Sequence, residues 1–179
     1  RQRVATHWKL IQRVNGITRP NTIRVGQKLK IVRGPFNAVV DKSDFRLDLY
    51  QGPPEMPERW TFVRSFQVGL GERTAEDPNG TPTGRYRVLN KLENPAWVNP
   101  QTNERFERDD PQNPIGEFWL ALEGLGEAAV HTGYGLHGTI DPNSIGAEQS
   151  MGCIRLGDDD IALLYEMLQN GVSIVQIVD

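Results

Sequence analysis

Phe45-Arg46-Leu47-Asp48-Leu49-Tyr50 alternates apolar and polar residues without a break, and nothing but a strand with one buried and one wet face satisfies that period of two. Further strand-like stretches lie at Asn37–Val40, Trp60–Val68, Arg85–Leu89 and Phe118–Leu122, and Val172–Val178 closes the chain as a β-branched run. A single clear helix interrupts them near the end. Asp158-Asp159-Asp160 precedes Ile161, Leu164, Tyr165 and Leu168 at helical spacing, with Asp158 as the expected N-cap and Asn170-Gly171 as the stop. The predicted main domain, residues 36–179, is therefore mainly β with one small helical element. Between Lys91 and Gly116 the chain is rich in Pro, Asn, Asp and Glu, which predicts a long functional loop or lid.

The first 33 residues read differently. Trp8, Leu10, Ile11 and Val14 lie on one helical face, Gly16 sits where that helix would stop, and Gln27–Val32 alternates as a short strand. Gly34-Pro35 breaks the pattern and marks the expected boundary.

Charge and composition narrow the function. A net charge of -3 with no block of Lys or Arg argues against nucleic acid as a partner. No stretch reaches the roughly 18 apolar residues that a membrane span requires. The N-terminal residues show no charged-then-apolar signal pattern, so localisation is not read from this end. The chain lacks the Cys/His clusters or H-E-x-x-H spacing of zinc sites, so neither a metal nor a cofactor is expected.

One cysteine, Cys153, excludes an intrachain disulfide and turns attention to its reactivity. It lies in a stretch, Tyr134 to Leu156, that also holds His137 and several glycines. A thiol is a poor nucleophile until a base removes its proton, and an imidazole beside it leaves a thiolate–imidazolium pair. With turn-forming Asp141-Pro142-Asn143 and Gly146 between them, His137 and Cys153 can lie side by side on two strands joined by a loop. Gly152, lacking Cβ, lets its own N–H and that of Cys153 converge on the oxyanion of acyl transfer. Ser150 either donates a further hydrogen bond or only supports the turn. Arg155, two positions beyond the nucleophile, projects to its side of a strand, where it either binds a substrate carboxylate and favours the thiolate or pairs with Asp158 or Asp159. His131 reads as structural and His7 as unrelated to catalysis. Trp97, Trp119 and Tyr134 either line a groove or belong to the core.

These residues resemble the signature of the YkuD-type L,D-transpeptidases: His137-Gly138-Thr139, then Ser150-Met151-Gly152-Cys153-Ile154-Arg155. Gly80-Thr81-Pro82-Thr83-Gly84, the Asn113-Pro114-Ile115-Gly116 turn and Ser144-Ile145-Gly146 extend the likeness over about residues 36–179. Residues 1–33 resemble the second half of a LysM module, through Asn15-Gly16 and Gly26-Gln27-Lys28-Leu29-Lys30-Ile31. The resemblance implies a β-sandwich with a small helical cap, Cys153 as nucleophile, His137 as base and the Gly138 carbonyl as the group that orients it. It places Ser150 and Gly152 in the catalytic loop, with Arg155, Tyr134, Thr139 and Met151 toward substrate. It further implies peptidoglycan stem peptides as substrates, glycan strands as partners, carbapenem sensitivity at Cys153 and residence in the periplasm or cell wall. Cross-linking of diaminopimelate residues is the implied reaction, with L,D-carboxypeptidase activity as the alternative. Met151 departs from the family, which has a histidine there, and this keeps open a non-catalytic wall-binding module with a degenerate site.

Overall fold

A computed structural model describes residues 6–77 and 79–179. Its strands are β1 (Phe36–Asp41), β2 (Arg46–Gln51), β3 (Thr61–Gln67), β4 (Leu70–Gly71), β5 (Gly84–Glu93) and β6 (Trp97–Val98). They continue with β7 (Arg105–Phe106), β8 (Phe118–Leu125), β9 (Gly135–His137), β10 (Glu148–Ser150), β11 (Ile154–Arg155) and β12 (Ile174–Val178). Two α-helices, α1 (Trp8–Val14) and α2 (Asp158–Met167), complete the regular structure.

Eight strands form one curled sheet in the order β11-β9-β8-β5-β12-β1-β2-β3, and β4 and β10 pair in a second, smaller sheet. Alternation decides which way each strand faces. Ala38, Val40, Leu47, Leu49, Tyr86, Val88, Leu120, Val175 and Ile177 are all sealed on the core side, each at 2% exposure or less. A buried side chain of the larger kinds contributes roughly 1.5–3 kcal/mol, so reversing this face in even one strand is prohibitive. α2 covers the same side through Ile161 and Leu164, which are fully buried.

Three expectations are corrected. Asp158 is the first residue of α2, and Gly157 is its N-cap with no side-chain hydrogen bond; the three aspartates instead fill the first turn, where they oppose the positive end of the helix dipole. The segment between Lys91 and Gly116 is only partly irregular, because β5 runs on to Glu93 and β6 pairs with β7 as a small ribbon. Lys91 itself is structural. Its ammonium caps the end of α2 by donating to the Tyr165 and Leu168 carbonyls at 2.5 and 2.8 Å, and burial pulls its pKa down to about 8. The third correction concerns Gln27–Val32, which joins no strand. Side chains hold it instead: Asn15 accepts from Lys30 N and donates to Lys30 O, and Thr6 Oγ1 donates to Val32 O.

The N-terminal segment is seated on the main domain. Leu10 joins the common core, Arg13 pairs with Glu166 at 3.1 Å and Lys9 with Glu93 at 2.6 Å.

Candidate active site

Parallel strands cannot be joined by a tight turn, since the chain must travel back before re-entering in the same direction. The 16 positions separating His137 from Cys153 supply that return. After β9 the chain turns through Thr139–Ser144, adds β10 to the second sheet, and re-enters as β11 beside β9, with Leu136 opposite Ile154 and His137 opposite Arg155. Residues two apart on a strand share a face, so Cys153, Arg155 and His137 all point away from the core. On its other side His137 faces Trp119 of β8, and the two rings stack with centroids 5.7 Å apart.

Gly138 O lies 2.5 Å from His137 Nδ1. A carbonyl only accepts, so Nδ1 carries the proton and Nε2 keeps its lone pair for use as a base. The Gly138 carbonyl thereby fixes both the tautomer and the orientation of the ring. His137 and Cys153 line one narrow pocket together with Trp97, Pro114, Ile115, Trp119, Ser150, Met151 and Arg155. Among the described residues no hydrogen bond joins the thiol to the imidazole; the sulfur lies 3.9 Å from the Gly133 carbonyl.

Burial governs the charge state. It pulls His137 down to about 4, with the Arg155 charge acting in the same direction and the Gly138 carbonyl opposing it. It pushes the Cys153 thiol up to about 11, against the Gly135 N–H and the Arg155 charge, which favour the thiolate. The resting pair at neutral pH is therefore thiol and neutral imidazole, not the ion pair that proximity alone suggests.

This charge state has a measurable consequence for stability. The unfolded chain binds more protons than the folded one between the ordinary histidine pKa of 6.5 and about 4, so stability is full above 6.5 and is lost as pH falls through that window. The full loss is about 3 kcal/mol. Denaturant titrations at pH 7 and 4.5 should show it, and His137→Gln should flatten the difference. An unchanged slope in that variant would remove the buried imidazole as its cause.

The nucleophile loop is braced from within. Ser150 Oγ donates to Cys153 O at 2.6 Å and accepts from Gly152 N at 3.1 Å, while Ser150 itself is only 5% exposed. Ser150 is thus a turn support, and the Gly152 N–H is already committed, which removes it from the expected oxyanion pair. Gly152 adopts φ +108°, and a Cβ there would collide with a Tyr134 ring carbon. Tyr134 consequently packs under this loop, near enough to Cys153 for the two groups to interact electrostatically, and is not among the residues lining this pocket. Thr139 is displaced from the expected substrate contact: its buried hydroxyl accepts from Asp141 N and approaches Ser144 Oγ, holding the turn after His137. Met151 is 44% exposed at the pocket rim.

Arg155 pairs with neither Asp158 nor Asp159. Its Nε is buried without a partner, and Asp141 is the acid whose charge reaches it. His131 meets Tyr134 edge-on at 6.1 Å and takes no place in the pocket, and His7 packs against Trp8 and Tyr165 near α2. Pro114 and Ile115 were not anticipated as pocket residues. Their Asn-Pro-Ile-Gly turn announces a bend, but only the fold brings that bend over the thiol.

Residues 36–177 match the YkuD family model, described as an L,D-transpeptidase catalytic domain, and residues 2–32 match the LysM domain. The chain is 27% identical over 161 residues to a putative L,D-transpeptidase YkuD of Bacillus licheniformis, covering 90% of this chain and 70% of that protein. It is 30% identical over 171 residues to the probable L,D-transpeptidase ErfK/SrfK of Escherichia coli, covering 89% of this chain and 46% of the relative. It spans about half the length of several such relatives, 54% and 52% for two from Bacillus subtilis. In fold it is similar to an L,D-transpeptidase from Mycobacterium tuberculosis H37Rv, with a TM-score of 0.56 at 17% identity over 84% of this chain and 62% of that one. It is also similar to the LD transpeptidase LdtMt1, solved in complex with imipenem, with a TM-score of 0.55 at 15% identity over 86% and 64% of the two chains.

Proposed function

Since the chain belongs to the YkuD family of L,D-transpeptidase catalytic domains, we propose that it transfers peptidoglycan stem peptides through a thioester on Cys153. The observation that carries this reading is a single thiol and a single imidazole on one pocket, with Nδ1 of the imidazole engaged and Nε2 without a hydrogen-bond partner among the described residues.

His137 Nε2 takes the thiol proton as sulfur attacks the carbonyl that precedes a terminal D-amino acid on a tetrapeptide donor. The tetrahedral oxyanion meets the Cys153 N–H, which has no backbone partner among the described residues. As the C–N bond breaks, His137 gives its proton to the departing D-amino acid and a thioester remains. An acceptor amine, in our reading the side-chain amine of diaminopimelate in a second stem, then loses a proton to His137 and attacks the thioester. Collapse returns that proton to sulfur and leaves a cross-link between two third-position residues. Trp97, Pro114 and Ile115 line the pocket beside the thiol, so the segment that bears them helps shape the space a stem must enter. Arg155 supplies a half-buried cation with no ion-paired carboxylate among the described residues, suited to a stem carboxylate.

Because peptidoglycan lies outside the cytoplasmic membrane, this reading places the protein in the periplasm or at the wall. A carbapenem, whose strained carbonyl presents the same electrophile, acylates Cys153 by the same first step. A disaccharide-tetrapeptide incubated with the protein should lose its terminal D-amino acid and, with an amine acceptor present, appear by mass spectrometry as a dimer. Hydrolysed tripeptide alone, even with acceptor in excess, would assign carboxypeptidase activity; an unaltered donor would remove the catalytic reading.

A further inference from the structure

The face of the large sheet that bears the active site continues well beyond it. Trp119 and Glu123 share one side of β8, Glu123 pairs with Arg87 of β5 at 2.7 Å, Arg85 lies opposite Gln176 of β12, and Gln176 lies opposite Val39 of β1. Asp48 follows on β2 opposite Val39, and Tyr50, two positions on, faces the same way. Where β12, β1 and β2 meet, a cleft of about 350 Å³ opens, lined by Tyr50, Trp60, Arg85, Ile174, Gln176 and Pro57. That volume lies in the range of small-ligand sites.

The cleft's chemistry is specific. Trp60 and Tyr50 present neighbouring rings, 5.8 Å apart and tilted by 33°. The indole is pinned by its N–H to Pro53 O at 2.8 Å, and the Arg85 guanidinium is steadied by Pro54 O at 3.0 Å, with its other N–H groups unbonded among the described residues. Among the described residues the Gln176 amide has no hydrogen-bond partner. Preorganised aromatic faces beside planar, unspent donors and an acceptor suit a pyranose, whose C–H face stacks on a ring while its hydroxyl or acetamido groups bond at the edge. Three to five strand spacings, about 14–24 Å across the sheet, separate the cleft residues on β12, β1 and β2 from His137, and the register sets them a further four to six residues, about 13–20 Å, along the strands. An extended stem of three to four residues spans only about 10–13 Å, so the sugar held here lies further along the glycan strand than the one whose stem reaches the thiol.

We propose that this cleft is a saccharide subsite, holding the N-acetylated glycan strand while its stem reaches Cys153. The proposal rests on the stem-transfer reading above for its orientation, but binding is tested without it. The full chain, 15N-labelled, is titrated with tetra-N-acetylchitotetraose, which carries no peptide. The Trp60 indole N–H and the Gln176 side-chain amide should shift together and saturate, and Trp60→Ala or Gln176→Ala should weaken binding about tenfold, roughly 1.4 kcal/mol. Absence of those shifts, or shifts confined to α1 and residues 17–32, overturns the subsite. If Trp60→Ala fails to fold, Gln176→Ala on the sheet surface decides. Carbapenem acylation of Cys153, followed in parallel, separates the two readings. Intact acylation without glycan shifts rejects the subsite alone, whereas glycan shifts without acylation reject the enzyme alone.

Discussion

Incubated with a carbapenem at neutral pH, the protein gains one whole inhibitor mass, and Cys153→Ala gains none. The ring opens without losing an atom, and the chain has one thiol to receive it. On a tetrapeptide donor the same substitution lowers the acylation rate at least about 10⁴-fold, because no other side chain replaces the nucleophile. His137 matters almost as much. With the thiol pushed up to about 11, only roughly one molecule in 10⁴ carries a thiolate at pH 7, so a base must remove the proton during attack. His137→Gln is accordingly expected to slow acylation about 10²–10⁴-fold while the chain stays folded. An adduct that persists in Cys153→Ala, or a folded protein that never acquires one, would defeat the assignment.

Gly71→Ala should lower stability by about 3 kcal/mol, the upper end for overpacking a tight site. A Cβ at Gly71 would lie 2.6 Å from Gly152 Cα, 2.7 Å from Gly80 C and 2.8 Å from Thr81 N. All three are backbone atoms, so no flexible side chain can yield. The melting temperature should fall by about 6–12 °C for a chain of this size. Because one of the obstructing atoms belongs to the nucleophile loop, acylation of Cys153 should slow as well, even well below the melting temperature. A variant that melts like the parent would show that the two glycine loops are not in the close contact described.

How far the sequence reaches depends on the range of the interaction concerned. Period-two alternation identified β2, and strand-like apolar and β-branched runs identified β1, β3, β8 and the core half of β5, since both are local demands written residue by residue. The helical face of Ile161 and Leu164 was equally legible, and so was the helix over Trp8–Val14. The motif residues singled out His137, Cys153 and the carbonyl of Gly138. The family matches in the comparisons agree with the resemblance those motifs carry.

Other features were set by contacts that only the folded chain makes. Ser150 and the Gly152 N–H satisfy each other, so their donor and acceptor capacity is spent inside the loop. Tyr134 and Thr139 face supporting contacts instead of the pocket for the same reason: a buried polar or aromatic group takes the nearest satisfying partner, and no spacing rule reveals which. Gln27–Val32 alternates like a strand, yet a strand exists only where another backbone pairs with it. The shifts of Cys153 up to about 11 and of His137 down to about 4 likewise belong to the folded molecule alone. Residue order determined which groups are present and which face each strand buries; desolvation by distant neighbours, a property of three-dimensional packing, decided what charge those groups hold and which of them reach the pocket.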